Sequence, residues 1–125
     1  MINQTLAISI GAILGANARY WIGVWAKSQF PSPFPLGTFI VNVLGSLLLG
    51  VLVALSLKRG DLSQATLLLL GTGFMGSFTT FSTFSVETVQ LMTNGNWQLA
   101  LFNVAGSLIL GLGGVWIGSQ VARMM

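Results

Sequence analysis

Seven charged side chains are spaced along 125 residues so that four stretches of 18, 30, 25 and 35 residues carry no charge at all. Each stretch has room for one helix across a hydrocarbon core of about 30 Å, which takes roughly 20 apolar residues. The charges are Arg19, Lys27, Lys58, Arg59, Asp61, Glu87 and Arg123, and 54% of the chain is hydrophobic. A water-soluble domain of this length carries about a quarter of its residues charged, so a soluble fold is excluded. Four crossings would use about 80 residues and leave about 45 for ends and loops. The expectation is one all-α transmembrane domain over 1–125. The chain contains no His and no Cys, which removes the usual proton shuttle, the thiolate nucleophile, disulfides and soft-metal ligands. Enzymatic chemistry is not expected. A net charge of +3 from so few groups describes contact with anionic lipid, and no nucleic-acid partner.

Punctuation along the chain predicts helices at 5–26, 36–57, 62–92 and 97–121. Helix 1 carries Arg19 eight residues, or about 12 Å of rise, before Lys27. A rival reading of residues 5–18 as a secretory leader has the small-x-small look of Ala16-Asn17-Ala18 in its favour. The absence of a basic n-region and the three hydrophobic segments that follow favour an uncleaved helix. Prolines at 31, 33 and 35 make the first loop. Lys58-Arg59-Gly60 ends helix 2, with Asp61 a candidate cap for helix 3. Asn94-Gly95-Asn96 is a turn, and Trp97 stands where an interfacial aromatic opens helix 4.

Four crossings put both termini on the side of Lys58, Arg59 and Arg123, against Arg19 and Lys27 on the other. That bias is too small to force one orientation. Asn42-Val-Leu-Gly-Ser-Leu-Leu-Leu-Gly50 and Asn103-Val-Ala-Gly-Ser-Leu-Ile-Leu-Gly111 match at seven of nine positions, at an offset of 61. Either a duplication or the shared needs of apolar helices accounts for this. If it is a repeat it is parallel, and an inverted arrangement would need a second copy of the chain.

The least lipid-like sequence lies inside the third span. Residues 71–85 hold three Gly, seven Ser or Thr, four Phe and one Met. Two readings stand. The helix is broken there and its irregular backbone faces a protected cavity, or it is continuous, with hydroxyls bonded back one turn and glycines giving a packing face. Phe74, Phe78, Phe81 and Phe84 recur at helical spacing. They form a packing stripe, or present positive ring edges to an anion. Asn42 either bonds a neighbouring helix or donates into a pore. Arg19 and Glu87 read as snorkelling and wetted groups, or as functional charges. With Arg19, Asn42, Asn103, Ser107 and many hydroxyls against one intramembrane acid, the chemistry favours an anion over a cation.

These residues together resemble the Fluc (CrcB-like) family of bacterial fluoride channels. The likeness runs through Gly11–Tyr20, Gly37-Thr-Phe-Ile-Val-Asn-Val-Leu-Gly-Ser46, Gly76-Ser-Phe-Thr-Thr-Phe-Ser-Thr-Phe-Ser85 and Asn103–Ser107. The resemblance implies four transmembrane helices with the third broken near its middle, in an antiparallel, dual-topology homodimer enclosing two fluoride pores. By position it implies Phe81, Phe84 and Asn42 at the pore, Ser82 and Thr83 beside them, and Ser107 from helix 4. It places Arg19 in a vestibule and Glu87 along the polar track. It also implies a structural Na+ at the dimer interface, held by the Gly76 and Thr79 carbonyls of both chains. Departures are Ser77, where many relatives have a second Gly, and a short turn into helix 4.

The function so implied is passive fluoride export from the cytoplasm through the bacterial inner membrane, relieving fluoride toxicity. Partners are fluoride, a second copy of the chain and the bilayer. A proton-coupled exporter of the small multidrug type is a rival, but it needs a carboxylate in helix 1 where this chain has Arg19. A non-transporting packing subunit is a third reading.

Overall fold

The computed structural model describes residues 2–60 and 62–125, and among them every regular element is helical. α1 (Ile2–Gln29) runs on past Lys27 until Pro31 denies it a further donor, with the Phe30 N–H closing its last turn on the Ala26 carbonyl at 2.9 Å. α2 (Leu36–Arg59) starts straight after Pro35 and ends at Gly60, whose φ of 66° only glycine adopts without strain.

Asp61, the expected cap of the third span, lies outside the described residues. Ser63 caps the span, its hydroxyl accepting from the Thr66 N–H at 3.1 Å, and helix begins at Gln64 rather than at Leu62. α3 (Gln64–Leu67) passes into a π-helix over Leu68–Met75 and then into α4 (Gly76–Phe78). Thr79 and Thr80 are extended, at φ −85°, ψ 159° and φ −154°, ψ 116°. α5 (Phe81–Thr93) completes the span. The third span is therefore interrupted inside its hydroxyl-rich segment. A turn with Gly95 at φ 78° leads to α6 (Trp97–Met124).

Among the described residues, three stretches are long and apolar enough to cross a membrane: Leu36–Arg59, Gln64–Thr93 and Trp97–Met124. α1 has the length, at 28 residues, but carries Asn3, Gln4, Asn17, Arg19 and Lys27. The side chains are distributed as bilayer solvent requires. The buried hydrophobics are few and mostly small, such as Ala7, Ala26, Ala100 and Ala122, while Leu, Ile, Val and Trp side chains cover the outside. The protein is a multi-pass membrane protein.

Among the described residues, backbone packs directly on backbone along two extended seams, and α2 also meets α1 closely where Gly37 faces Gly23. α2 and α6 run parallel: a methyl at Gly50 would strike the backbone of Val115, and one at Gly118 the backbone of Leu47 and Val51. α1 and the π segment make the second seam, where methyls at Gly11, Gly15 and Gly73 would collide with Leu69, Phe74 and Ile8 main chain. Ser77 bridges that seam, its hydroxyl lying 3.0 Å from the Ala12 carbonyl and 2.8 Å from that of Gly73. After the break the chain leaves α1 and packs against α6.

Candidate functional site

The divergence of α5 from α1 opens a cavity of about 590 Å³ at the end of the molecule that holds the proline loop and the Asn94–Asn96 turn. Its walls follow from helical periodicity. α1 contributes Ala16, Arg19, Gly23 and Lys27, and the other wall contributes Thr80, Thr83, Glu87, Gln90 and Asn94. Apart from Leu91, every residue that α5 and its flanks give to this wall is polar, and the stripe descends from the mouth to the break. Of the residues expected at the site, Arg19, Thr83 and Glu87 meet here. Thr38, Thr80, Gln90 and Asn94 join them, and were not singled out from the sequence. The spacing of three and four residues from Thr80 through Thr83, Glu87 and Gln90 to Asn94 was the available signal, and Thr38, on α2, had none. Glu87 Oε2 is buried without a hydrogen-bond partner, and Lys27 and Arg19 line the same cavity.

At the floor of the cavity, Asn42 holds the break from the α2 side. Its Oδ1 accepts from the Thr80 N–H at 2.7 Å and its Nδ2 donates to the Thr80 carbonyl at 3.0 Å. One amide hydrogen of Asn42 is left over. A continuous helix would have directed the Thr80 N–H to the Gly76 carbonyl and the Thr83 N–H to the Thr79 carbonyl. Here the first goes to Asn42 and the second to the Thr80 hydroxyl at 3.2 Å, an N-cap that starts α5. That hydroxyl also meets Thr83 Oγ1 at 3.0 Å and Ser82 Oγ at 3.3 Å.

The four phenylalanines of the segment divide. Phe74 and Phe78 stack at 5.5 Å; Phe78 is 3% exposed and packs the interior, with Phe74 half-buried against it. Beyond the break, Phe81 and Phe84 lie 5.8 Å apart with rings tilted by 40°. Phe81 is 79% exposed, and Gly76 and Ser82 are exposed as well. Phe84 is tied inward through its backbone: its carbonyl accepts from Thr88 Oγ1 at 2.7 Å, and Thr88 Oγ1 accepts from Asn103 Nδ2 at 2.9 Å. Asn103 is 1% exposed. The two asparagines of the sequence echo thus both reach the third span, one to its backbone and one to a side chain. Ser107, a turn beyond Asn103, has a buried hydroxyl with no partner.

The model of a family described as CrcB-like protein, Camphor Resistance (CrcB), matches residues 6–119. A protein of Symbiobacterium thermophilum named fluoride-specific ion channel FluC 2 is 50% identical over 92% of this chain and 94% of its own length. Proteins named fluoride-specific ion channel FluC are similar too. That of Oceanobacillus iheyensis is 48% identical over 95% of this chain and 91% of its own length. That of Chloroflexus aurantiacus is 47% identical over 97% and 96%.

Proposed function

The chain belongs to the CrcB-like family, and from that premise and the geometry of the break we propose that it is a fluoride channel, passing the anion down its own gradient without chemical conversion. The observation that carries this reading is the polar stripe from the cavity mouth to Thr80, which ends where the Asn42 amide and the Phe81–Phe84 pair stand. Fluoride surrenders its hydration shell reluctantly, so a selective path must offer replacement donors in a space too narrow for larger halides. Hydroxyls of Ser82, Thr83 and Ser107, the remaining Asn42 amide hydrogen and the positive ring edges of Phe81 and Phe84 supply them. Arg19 raises the anion concentration in the vestibule, and Glu87 lies along the track. α1 is the fourth crossing in this reading, with Arg19 kept wet by the cavity.

A second copy of the chain, inserted in the opposite sense, covers the exposed face at Gly76, Phe81 and Ser82. The near balance of basic residues at the two ends permits both insertions. In that dimer the Gly76 and Thr79 carbonyls of both chains hold a sodium ion. They fit a hard cation, because the N–H groups that would have satisfied them are engaged elsewhere. The ion would supply fixed positive charge at the interface and no reaction. The setting is the bacterial inner membrane and the benefit is relief from fluoride toxicity. Rival readings as a proton-coupled exporter or a packing subunit gain no support from the relatives.

The test is halide efflux from proteoliposomes containing the purified protein. Fluoride efflux far above that of chloride is expected. Equal rates for the two halides would overturn the proposal.

A further inference from the structure

We infer that Asn42 is the positioning residue that keeps the third span broken, and that by taking the Thr80 N–H it leaves the Gly76 carbonyl available to a cation. The second half rests on the cation reading proposed above. An unpaired N–H in the bilayer interior costs several kcal/mol. The Thr80 N–H has two routes to satisfaction. One is the Gly76 carbonyl, which closes a helical turn, and the other is a donor-acceptor pair presented from a different helix.

A carboxamide held level with Thr80 meets both its N–H and its carbonyl, as a neighbouring strand would. Asn42 does so at 2.7 and 3.0 Å across 38 residues of sequence. Two features fix it there. Gly45, a turn further along α2, has no side chain to hold α2 away from Thr79 and Phe78. Ser46 Oγ donates to the Asn42 carbonyl at 2.7 Å. Without the carboxamide the protein group left to the Thr80 N–H is the Gly76 carbonyl, and closing on it restores the helix.

The experiment uses the purified full chain in detergent, with two readouts that are independent of fluoride flux. Backbone carbon chemical shifts of Thr79 and Thr80 distinguish extended from helical conformation. Melting in NaCl against N-methylglucamine chloride reports cation binding, with a sodium-dependent rise of about 3 °C or more expected for the native protein. Asn42→Leu keeps the branched shape and removes the clamp. Asn42→Asp keeps an oxygen that accepts from the Thr80 N–H, whatever its protonation state.

The expected result is that Asn42→Leu moves both threonines toward helical shifts and loses the sodium response, while Asn42→Asp retains extended shifts and the response. Should Asn42→Leu fail to fold, Asn42→Ser, whose hydroxyl is too short to meet both Thr80 groups, carries the same comparison. Extended shifts that persist in Asn42→Leu would overturn the inference. Helical shifts with an undiminished sodium response would overturn the link to Gly76. Should the native protein show no sodium response while the shifts still move, the cation reading fails and the role of Asn42 in the break stands.

Discussion

Gly45→Ala adds one methyl at the place where α2 touches the break. That methyl overlaps Thr79 Cγ2 and comes within 3.3 Å of Phe78 Cδ1. Neither neighbour yields freely. The Thr79 rotamer is pinned by its hydroxyl, which donates to the Met75 carbonyl at 2.9 Å, and turning it away forfeits about 1 kcal/mol. Phe78 is buried and stacked on Phe74. The remaining relief is for α2 to withdraw, which pulls Asn42 off Thr80. Overpacking of this kind costs about 1–3 kcal/mol whichever route is taken. The expected result is a lower melting temperature in detergent, together with slower fluoride efflux from proteoliposomes. Thr79→Ser removes the offending carbon while keeping the hydroxyl bond to Met75. In the Gly45→Ala background it should restore about 1 kcal/mol or more, a coupling that a double-mutant cycle measures. Native melting and native flux in Gly45→Ala, or no recovery in the double variant, would refute the reasoning.

Three further outcomes follow from named contacts. Phe81→Ala should leave protomer stability nearly unchanged, because the ring is mostly exposed, yet reduce fluoride flux about fivefold if a ring edge contributes ~1 kcal/mol to the passing anion; unchanged flux would remove Phe81 from the pore. Asn103→Leu deletes the buried donor to Thr88 and should cost about 1 kcal/mol, read as a drop in melting temperature absent from a control substitution at exposed Leu112. Ser77→Ala removes the hydroxyl bridge between α1 and the π segment, and should destabilise by about 1 kcal/mol without altering the preference for fluoride over chloride.

Particular residues show how far a linear reading reaches. The helices of the second and fourth spans follow from charge-free length and from Gly60, Pro35 and Asn94-Gly95-Asn96, which are local signals. The start of the third span was displaced because Ser63 accepts from the Thr66 N–H, and Ser and Asp cap equally well on paper. The π segment had no local signature, since Leu-rich sequence is compatible with either winding. Thr80, Gln90 and Asn94 were legible as a polar stripe only once the cavity gave that stripe a side to face. Phe78 and Phe81 look alike in sequence, yet one packs inside and the other lies bare, because the break lies between them.

By itself the sequence determined that the chain lives in lipid, because seven charges cannot clothe a soluble surface, and that its polar groups concentrate in one span, because composition alone locates them. Whether that span is continuous was decided by tertiary structure. The deciding hydrogen bonds join Thr80 to a carboxamide 38 positions away, and a contact between distant residues exists only once two helices, kept close by Gly45, stand side by side.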